Sequence, residues 1–501
     1  MMDAALRAVH PADALRRHVR IDAATQELIL LPDSTEESSS SSSSSAAQVY
    51  DLQAYDRIVL LAIGKAASCM AATLVQDLRT CDNQNHHRNN QQQQQQQQPS
   101  LTSQKLTGIC LTKDGHATQE EQTILANSNV RLYEASHPIP DSRGEKAAHE
   151  ILDLLLKTAP QSALVLTCIS GGGSALLTAP APPLTLADLQ GTNQALLAAG
   201  WPIDAMNVLR KRLDLCKGGK LLRLRNTTTL TTWINLVLSD VVGDPLDLIA
   251  SGPTVPDTST WEDAQQLFRA LPPVDLPIGV GRYLAGPAPT TEKFLSVTDE
   301  VVVPYTRIVG NTAQAVHAAA QQARALGYRP VVLATQLQGE AKELAQFFVA
   351  MAQHEASSLS SASQQPVAII TGGESTVTLG VKATGKGGRN QEMALAVALG
   401  LDRLVQTNNL AKPVVFGSVG TDGTDGPTDA AGAIVDPTTV ANLGREEGRQ
   451  ALTEHNAYPY LGKVTPAGTS PLLKTGPTGT NVAVSCLSSL LNYRCLAPTS
   501  Y

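Results

Sequence analysis

Residues 163–169, Ala-Leu-Val-Leu-Thr-Cys-Ile, form a short apolar run that stops at Ser170-Gly171-Gly172-Gly173-Ser174 and resumes as Ala175-Leu176-Leu177. Three consecutive glycines cost backbone entropy and leave nothing to pack, so close approach of a ligand explains them better than a plain turn does. The same grammar recurs. Residues 58–63 end in Gly64-Lys65-Ala66-Ala67, with a helix-compatible stretch over 68–78, and residues 234–238 end in Ser239-Asp240-Val241-Val242-Gly243-Asp244. Short apolar strands alternating with helices predict an α/β fold, a parallel sheet with helices on both faces and ligands at the carboxyl ends of the strands. Lys65 and Asp240 fall there.

The rhythm restarts after a Pro-rich segment over 272–289, which reads as a linker between a domain over 1–289 and another over 300–501. A helix is expected over 312–326, closed by Gly327, then a strand over 330–334, a helix over 339–351 and strands over 367–370 and 414–419. Between the last two strands lie Thr371-Gly372-Gly373-Glu374-Ser375 and Gly385-Lys386-Gly387-Gly388-Arg389-Asn390-Gln391-Glu392, ahead of an Ala/Leu-rich helix. That arrangement suits an anion: glycines admit a ligand to backbone N–H groups, and the following helix directs its positive end to the same place. Three low-complexity inserts, near 34–47, 82–104 and 355–365, cannot bury a core and read as disordered surface loops.

With 42% hydrophobic and 17% charged residues over 501 positions, the chain can build substantial cores. Its net charge of −7 and lack of a basic stripe argue against nucleic acid or an anionic membrane as partner, while leaving room for a small anionic substrate. The seven cysteines are scattered without a CxxC pair, as expected of thiols in a reducing compartment. No apolar run is long enough to cross a membrane. Arg7, Arg16, Arg17 and Arg20 near the start fit an ordinary N-terminal helix better than a mitochondrial presequence, because Asp3 and Asp13 interrupt them. A cytoplasmic location is expected, with the mitochondrion as the alternative.

Several constellations carry chemistry. A lysine directly after a strand and a glycine can present an ammonium to phosphate or carboxylate. Asn207 and Arg210 share a helical face, and Lys217-Gly218-Gly219 ends that helix. Asp240, Asp244, Glu374, Asp422, Asp425 and Asp429 lie in glycine-rich loops, where one or two carboxylates plus water can hold Mg²⁺, although aspartates also simply form turns there. His137, in Ser136-His137-Pro138-Ile139-Pro140-Asp141, is a candidate acid or base or a structural histidine. Neither a Walker P-loop nor G-x-S-x-G is present.

Taken in order, ten strings resemble the glycerate 2-kinase family whose C-terminal part is the MOFRL domain. They are Ala62-Ile63-Gly64-Lys65-Ala66, Ser136 to Asp141, Ile169 to Leu177, Met206-Asn207-Val208-Leu209-Arg210-Lys211, Lys217-Gly218-Gly219, Leu238 to Asp244, Ala250-Ser251-Gly252-Pro253-Thr254, Gly387 to Glu392, Gly420 to Pro427 and Thr475 to Val482. The resemblance implies ATP-dependent phosphorylation of D-glycerate at the 2-hydroxyl with Mg²⁺, on an N-terminal Rossmann-like domain and a C-terminal MOFRL α/β domain, with the site in the cleft between them. It implies catalytic roles for Lys65, Arg389 and Asp240. ATP is expected on Ser170, Gly171, Gly172, Gly173, Ser174, Lys217, Gly387 and Gly388, glycerate on Asn207, Arg210, Asn390 and Glu392, and Mg²⁺ on Glu374, Asp240 and Asp422. The small molecule is the expected partner, with no nucleic acid or membrane, and the chain acting as a monomer or homodimer. Two departures stand out: Asp214 where the family usually has serine, and Ala483-Val484 after Asn481-Val482. Members have also been described as hydroxypyruvate reductases, so an NAD(P)H-dependent reductase is the rival activity, against which stands the missing G-x-G-x-x-G on the first strand. A non-catalytic metabolite-binding homologue is the second rival.

Overall fold

The computed structural model describes residues 1–32, 47–91, 100–158, 161–223, 231–270, 276–289, 304–358, 365–379, 385–410, 412–466, 468–482 and 484–490. Contacts divide the chain into two compact units, Pro11–Val309 and a second that joins Met1–His10 to Gly310–Tyr501.

The Pro11–Val309 unit begins with a helix that follows α1 (Met2–Ala8), namely α2 (Pro11–His18), and a small antiparallel sheet of β1 (Val19–Asp22), β2 (Glu27–Leu30) and β3 (Gln48–Asp51). Its main sheet comprises β4 (Arg57–Ile63), β5 (Leu106–Lys113), β6 (Val130–Ala135), β7 (Ala163–Ser170), β8 (Thr231–Leu238) and β9 (Tyr305–Gly310), in the order β6-β5-β4-β7-β8-β9. The pairs β4–β5, β5–β6, β4–β7 and β7–β8 are parallel. Counted from β4, this is the doubly wound order 3-2-1-4-5-6, whose direction reverses between β4 and β7. Every residue of β7 is buried, which follows from cover on both faces. One face of β4, Val59, Leu61 and Ile63, packs with Ala147, Ile151 and Leu155 of a helix over Ser142–Thr158. The alternate residues Ile58, Leu60 and Ala62 are equally buried.

In chain order the helices here are α3 (Ala67–Gln91), α4 (Gln119–Ala126), α5 (Ser142–Thr158), α6 (Gly173–Leu176), α7 (Leu186–Ala198), α8 (Ile203–Leu213), α9 (Trp261–Ala270) and α10 (Ile278–Ala285). α8 stops at Leu213, short of the Lys217-Gly218-Gly219 expected to end it, and α3 and α10 also differ from the sequence expectation. α3 runs on to Gln91, because a helix nucleated by its packed apolar turns propagates cheaply into Asn and Gln. The buried Asp82 carboxylate then accepts hydrogen bonds from Ser100 Oγ (2.9 Å), Leu101 N (2.8 Å) and Thr102 N (3.0 Å), tying together the two ends of the glutamine tract. The remainder of that insert, 92–99, lies outside the described residues, as do 33–46 and 359–364 of the other two. The Pro-rich segment expected as a linker contains α10, whose Val280 and Leu284, one turn apart, bury against Trp261 and Ala264.

The second unit packs α1 on α11 (Thr312–Ala325), and Thr480 Oγ1 donates to Val9 O at 2.6 Å. Asn311 caps α11 by accepting from Gln314 N, a local signal that places the helix start where it was expected. The sheet is β10 (Arg329–Glu340), β11 (Val367–Thr376), β12 (Val414–Gly420), β13 (Gly432–Val435), β14 (Leu472–Leu473) and β15 (Val484–Leu490), ordered β10-β11-β15-β12-β13-β14. β15 is antiparallel to both β11 and β12, so β10, β11 and β12 run one way and end at one edge. β10 runs past the strand expected over 330–334 through the turn to Glu340, so α12 (Ala341–Ser358) starts two residues later than the expected helix over 339–351 and extends beyond it. α12 packs on α13 (Arg389–Gln406), and Phe348 meets Phe416 at a ring separation of 5.3 Å in the core. Three short helices, α14 (Thr439–Leu443), α15 (Arg445–Thr453) and α16 (Ala457–Leu461), complete the unit.

Candidate active site

In the Pro11–Val309 unit the expected residues gather where β4 and β7 end side by side. Lys65 N donates to Gly171 O at 2.8 Å and Ala66 N to Ser170 Oγ at 3.0 Å, so the lysine loop is fastened to the triple-glycine loop by its main chain. Gly64 holds φ +122°, and a Cβ there would lie 2.3 Å from Ser170 Oγ; no other residue fits. Ser170 is fully buried and serves as this clasp. From β5, Thr112 Oγ1 donates to Gly64 O (3.1 Å) and His116 Nδ1 lies 3.3 Å from Lys65 O. The Lys65 side chain remains half-buried at the loop surface beside Gly172, which has φ +85°.

α6, which follows, is a single turn, so the apolar helix expected behind the glycines contributes little dipole. What backs the loop is the 250–252 turn. A Cβ on Gly173 would meet Ala250 Cβ at 2.6 Å, Ser174 Oγ lies 2.9 Å from Ser251 Oγ, and Ser251 Oγ donates to Asn207 Oδ1 at 3.2 Å. Ala250, Ser251 and Gly252 carry φ of 52°, 60° and 59°, a left-handed succession that costs about 1–3 kcal/mol for each non-glycine residue. Gly218 N and Gly219 N hold it by donating to Ser251 O (3.0 Å) and Gly252 O (2.7 Å). Lys217 itself is buried, donating to Leu177 O (2.9 Å) and pairing with Asp214 (2.6 Å), the residue noted as a departure. Arg210 Nε donates to Asn193 Oδ1 at 2.7 Å. Asp240 is half-buried in the loop after β8, at the same carboxyl edge.

In the Gly310–Tyr501 unit, Glu374 near the end of β11 and Arg389 at the start of α13 form an ion pair at 2.5 Å, with side chains 41% and 34% exposed. The N-terminus of α13, expected to receive a ligand anion, already holds one. The buried Asp425 carboxylate accepts from Asn390 N (3.1 Å), Asn390 Nδ2 (3.0 Å) and Gln391 N (2.9 Å). Burial pushes the Asp425 carboxyl above its usual range, and those N–H donors oppose the shift. Gly388 is required by this cap, since a Cβ would lie 2.3 Å from Asp425 Cγ, and Gly387 packs near Ala457 N. Asn390 is buried, accepting from Ser418 Oγ at 2.7 Å. Glu392 is buried too: one oxygen lies 2.8 Å from His455 Nδ1 and the other has no hydrogen-bond partner. Asp422 accepts from Thr424 N (3.1 Å) in the turn after β12, and its neighbour Thr421 Oγ1 accepts from Val482 N (2.9 Å).

Among the described residues no three His, Cys, Asp or Glu side chains converge as a metal cage. Single carboxylates such as Asp240, Glu374 and Asp422 are nonetheless hard oxygen donors of the kind Mg²⁺ uses when water and phosphate complete its shell. Sequence reasoning passed over His116 and the capping role of Asp425, and it quoted Ala250 to Thr254 for the resemblance without giving the Ser251 turn its supporting role. Ala250-Ser251-Gly252-Pro253, small residues before Gly-Pro, was the available signal for that turn.

Residues 1–285 match the model of a domain of unknown function, DUF4147, and residues 367–484 match the MOFRL family. The chain is 34% identical to the glycerate 2-kinase of Pyrococcus horikoshii, over 85% of this chain and 86% of that one. The chain belongs to the MOFRL-type glycerate kinase family. It is also 35% identical to the D-glycerate 2-kinase of Thermotoga maritima, covering 85% of this chain and 89% of that one. The crystal structure of a glycerate kinase from the same organism superposes with a TM-score of 0.69 at 29% identity, over 98% and 97% of the two chains. A relative from Agrobacterium vitis, 36% identical over 85% of this chain and 97% of its own, is named a putative hydroxypyruvate reductase. The glycerate kinase family thus supplies the expected two α/β parts, the first of them a Rossmann-ordered parallel sheet.

Proposed function

We propose that the protein transfers a phosphoryl group from ATP to the 2-hydroxyl of D-glycerate, giving 2-phosphoglycerate and ADP, with Mg²⁺. The observation that carries the reading is the clasp between Gly64-Lys65-Ala66 and Ser170-Gly171 at the reversal point of the doubly wound sheet. A half-buried lysine beside glycine loop backbone at that place suits a phosphate or carboxylate. Phosphoryl transfer asks a protein mainly to position its reactants and to neutralise charge on the equatorial oxygens.

Lys65 is assigned to the transferring phosphoryl group or to the glycerate carboxylate, and Arg389 to the other anion. A guanidinium oriented by Glu374 suits bidentate contact with a carboxylate. Gly171 to Ser174 lie against the ATP phosphates. Asp240, Glu374 or Asp422 would hold Mg²⁺, which neutralises phosphate charge when bound, and Asp240 or Glu374 would take the proton of the attacking hydroxyl. Lys217 and Asn207 in the one unit, and Asn390 and Glu392 in the other, are assigned a supporting role through the contacts that bury them.

Among the described residues no helix is long and apolar enough to cross a membrane, and we assign the enzyme to the cytoplasm, acting as a monomer or homodimer. The deciding assay supplies purified protein with D-glycerate and MgATP and, separately, hydroxypyruvate and NADH. Glycerate-dependent ADP formation, with enolase consuming the product without phosphoglycerate mutase, supports the kinase. NADH oxidation without ADP formation would move the protein to the activity for which the A. vitis relative is named.

A further inference from the structure

We propose that His137 is a ligand-contacting residue of the Lys65 site, donating a hydrogen bond to the same anionic oxygen that Lys65 neutralises. This rests on the phosphotransfer reading above. The argument starts from topology. His137 follows β6, the outermost strand on its side of the sheet, with β5 and β4 between it and β7. Yet its imidazole lies against the loop after β7. A methyl group placed on Gly172 would stand 3.1 Å from His137 Cδ2, 3.3 Å from His137 Nε2 and 3.3 Å from Lys65 Cγ. The imidazole edge and the lysine stem therefore flank one glycine α-carbon. The imidazole is thus a neighbour of the lysine stem, and an anion bound at the lysine's ammonium has it close by.

The histidine loop is built to hold this position. Asp141 accepts from Ser136 N (3.3 Å), Arg143 N (3.1 Å) and Gly144 N (3.1 Å), closing the 136–141 turn onto the start of α5. Arg143 then bridges Asp141 (2.5 Å) and Asp114 (2.6 Å), so these two loop carboxylates are neutralised by a shared guanidinium. Gln190 Nε2 donates to Pro140 O at 2.7 Å from the other side. A rigid loop with compensated acids presents its imidazole without repelling an anion. His116, from the loop after β5, lies instead against the Lys65 carbonyl at 3.3 Å and positions the lysine main chain. Four neighbouring strand ends thus supply His137, His116, Lys65 and Gly172 to one spot.

The anionic oxygen belongs either to a nucleotide phosphate or to the carboxylate of a small hydroxy acid, and kinetics separate them. In the full-length enzyme, His137→Ala is expected to raise one KM about tenfold, the worth of a hydrogen bond to a charged group. The rise falls on MgATP if the oxygen is a phosphate's and on D-glycerate if it is a carboxylate's. His137→Gln, whose amide N–H can stand near the lost Nε2, is expected to recover most of the loss, and both variants to melt with the wild type. Unchanged KM and kcat in His137→Ala would overturn the proposal. So would equal damage in both variants accompanied by a lower Tm, the mark of a packing role. If the wild type turns over no D-glycerate, the phosphotransfer reading has failed by itself, and calorimetric titrations with inorganic pyrophosphate and with D-glycerate still decide on His137: weaker binding of either by His137→Ala supports it, and equal affinity in wild type and variant for both, or binding of neither, overturns it.

Discussion

Glu374 Oε1 accepts from Arg389 Nη1 at 2.5 Å, in a pair whose side chains are both more than a third exposed. Exposed pairs contribute at most about 1 kcal/mol to stability, so its worth lies in aiming the guanidinium. Arg389→Ala is expected to melt within a few degrees of the wild type and to lose on the order of 10²–10³ in kcat, the scale of removing an electrostatic contact to a transition state. Coupled ADP assays and thermal unfolding on the same preparation check this. Near-normal turnover removes Arg389 from the site.

Lys65→Ala is expected to behave alike, with a loss on the order of 10²–10³ in kcat/KM. The clasp to Gly171 and Ser170 uses main-chain N–H groups of Lys65 and Ala66, so the loop survives truncation of the side chain. Circular dichroism indistinguishable from the wild type should accompany the kinetic loss.

Gly64→Ala inverts that outcome. A Cβ would collide with Ser170 Oγ at 2.3 Å in a backbone conformation of φ +122°, so the variant should lose about 2–4 kcal/mol in denaturant unfolding as well as activity. Wild-type stability would mean that the two loops are not clasped.

Asp425 is a second structural test. Removing the carboxylate leaves the N–H groups of Asn390 and Gln391 buried without an acceptor, and Asp425→Ala should cost about 2–3 kcal/mol. Asp425→Asn keeps one acceptor oxygen and should cost less. Equal stability of all three proteins would deny the cap.

The acid limb of stability should carry the mark of Asp141. Partial burial pushes its carboxyl up, but the Gly144 N–H and the Arg143 guanidinium outweigh it and hold the group below its usual range. A folded-state pKa below the unfolded one means stabilisation that is present above the unfolded pKa and lost as pH falls through the folded one. Asp141→Asn should therefore be less stable than the wild type at pH 7, by about 1 kcal/mol for the cap, and the gap should narrow as pH falls below about 4. A gap that stays constant down to pH 2 would contradict it.

How far the sequence could be read follows the kind of contact involved. β4, β7 and β8 were legible because a buried parallel strand is a continuous apolar run, and the glycines after them because φ +122° or +85° admits little else. α11 announced itself through Asn311 and Gly327. What stayed hidden depends on residues distant in sequence. Asp214 stands three residues from Lys217, but nothing near Lys217 says that its ammonium also reaches Leu177 O, and nothing near Arg389 says that Asp425 has taken the helix end behind it. The helix in 278–285 was masked by flanking prolines, although Val280 and Leu284 already shared a face.

The place of β15 reaches into the life of the nascent chain. It follows every other strand of its sheet in sequence, yet lies between β11 and β12. While the ribosome still holds those last residues, both neighbours keep open edges, each a template for mispairing with another chain. Helix α1, made long before α11, waits for that partner and for the Thr480 hydroxyl that meets Val9. Unlike the Pro11–Val309 unit, the MOFRL half cannot settle before β15 has been made, and it is where chaperones should find this protein.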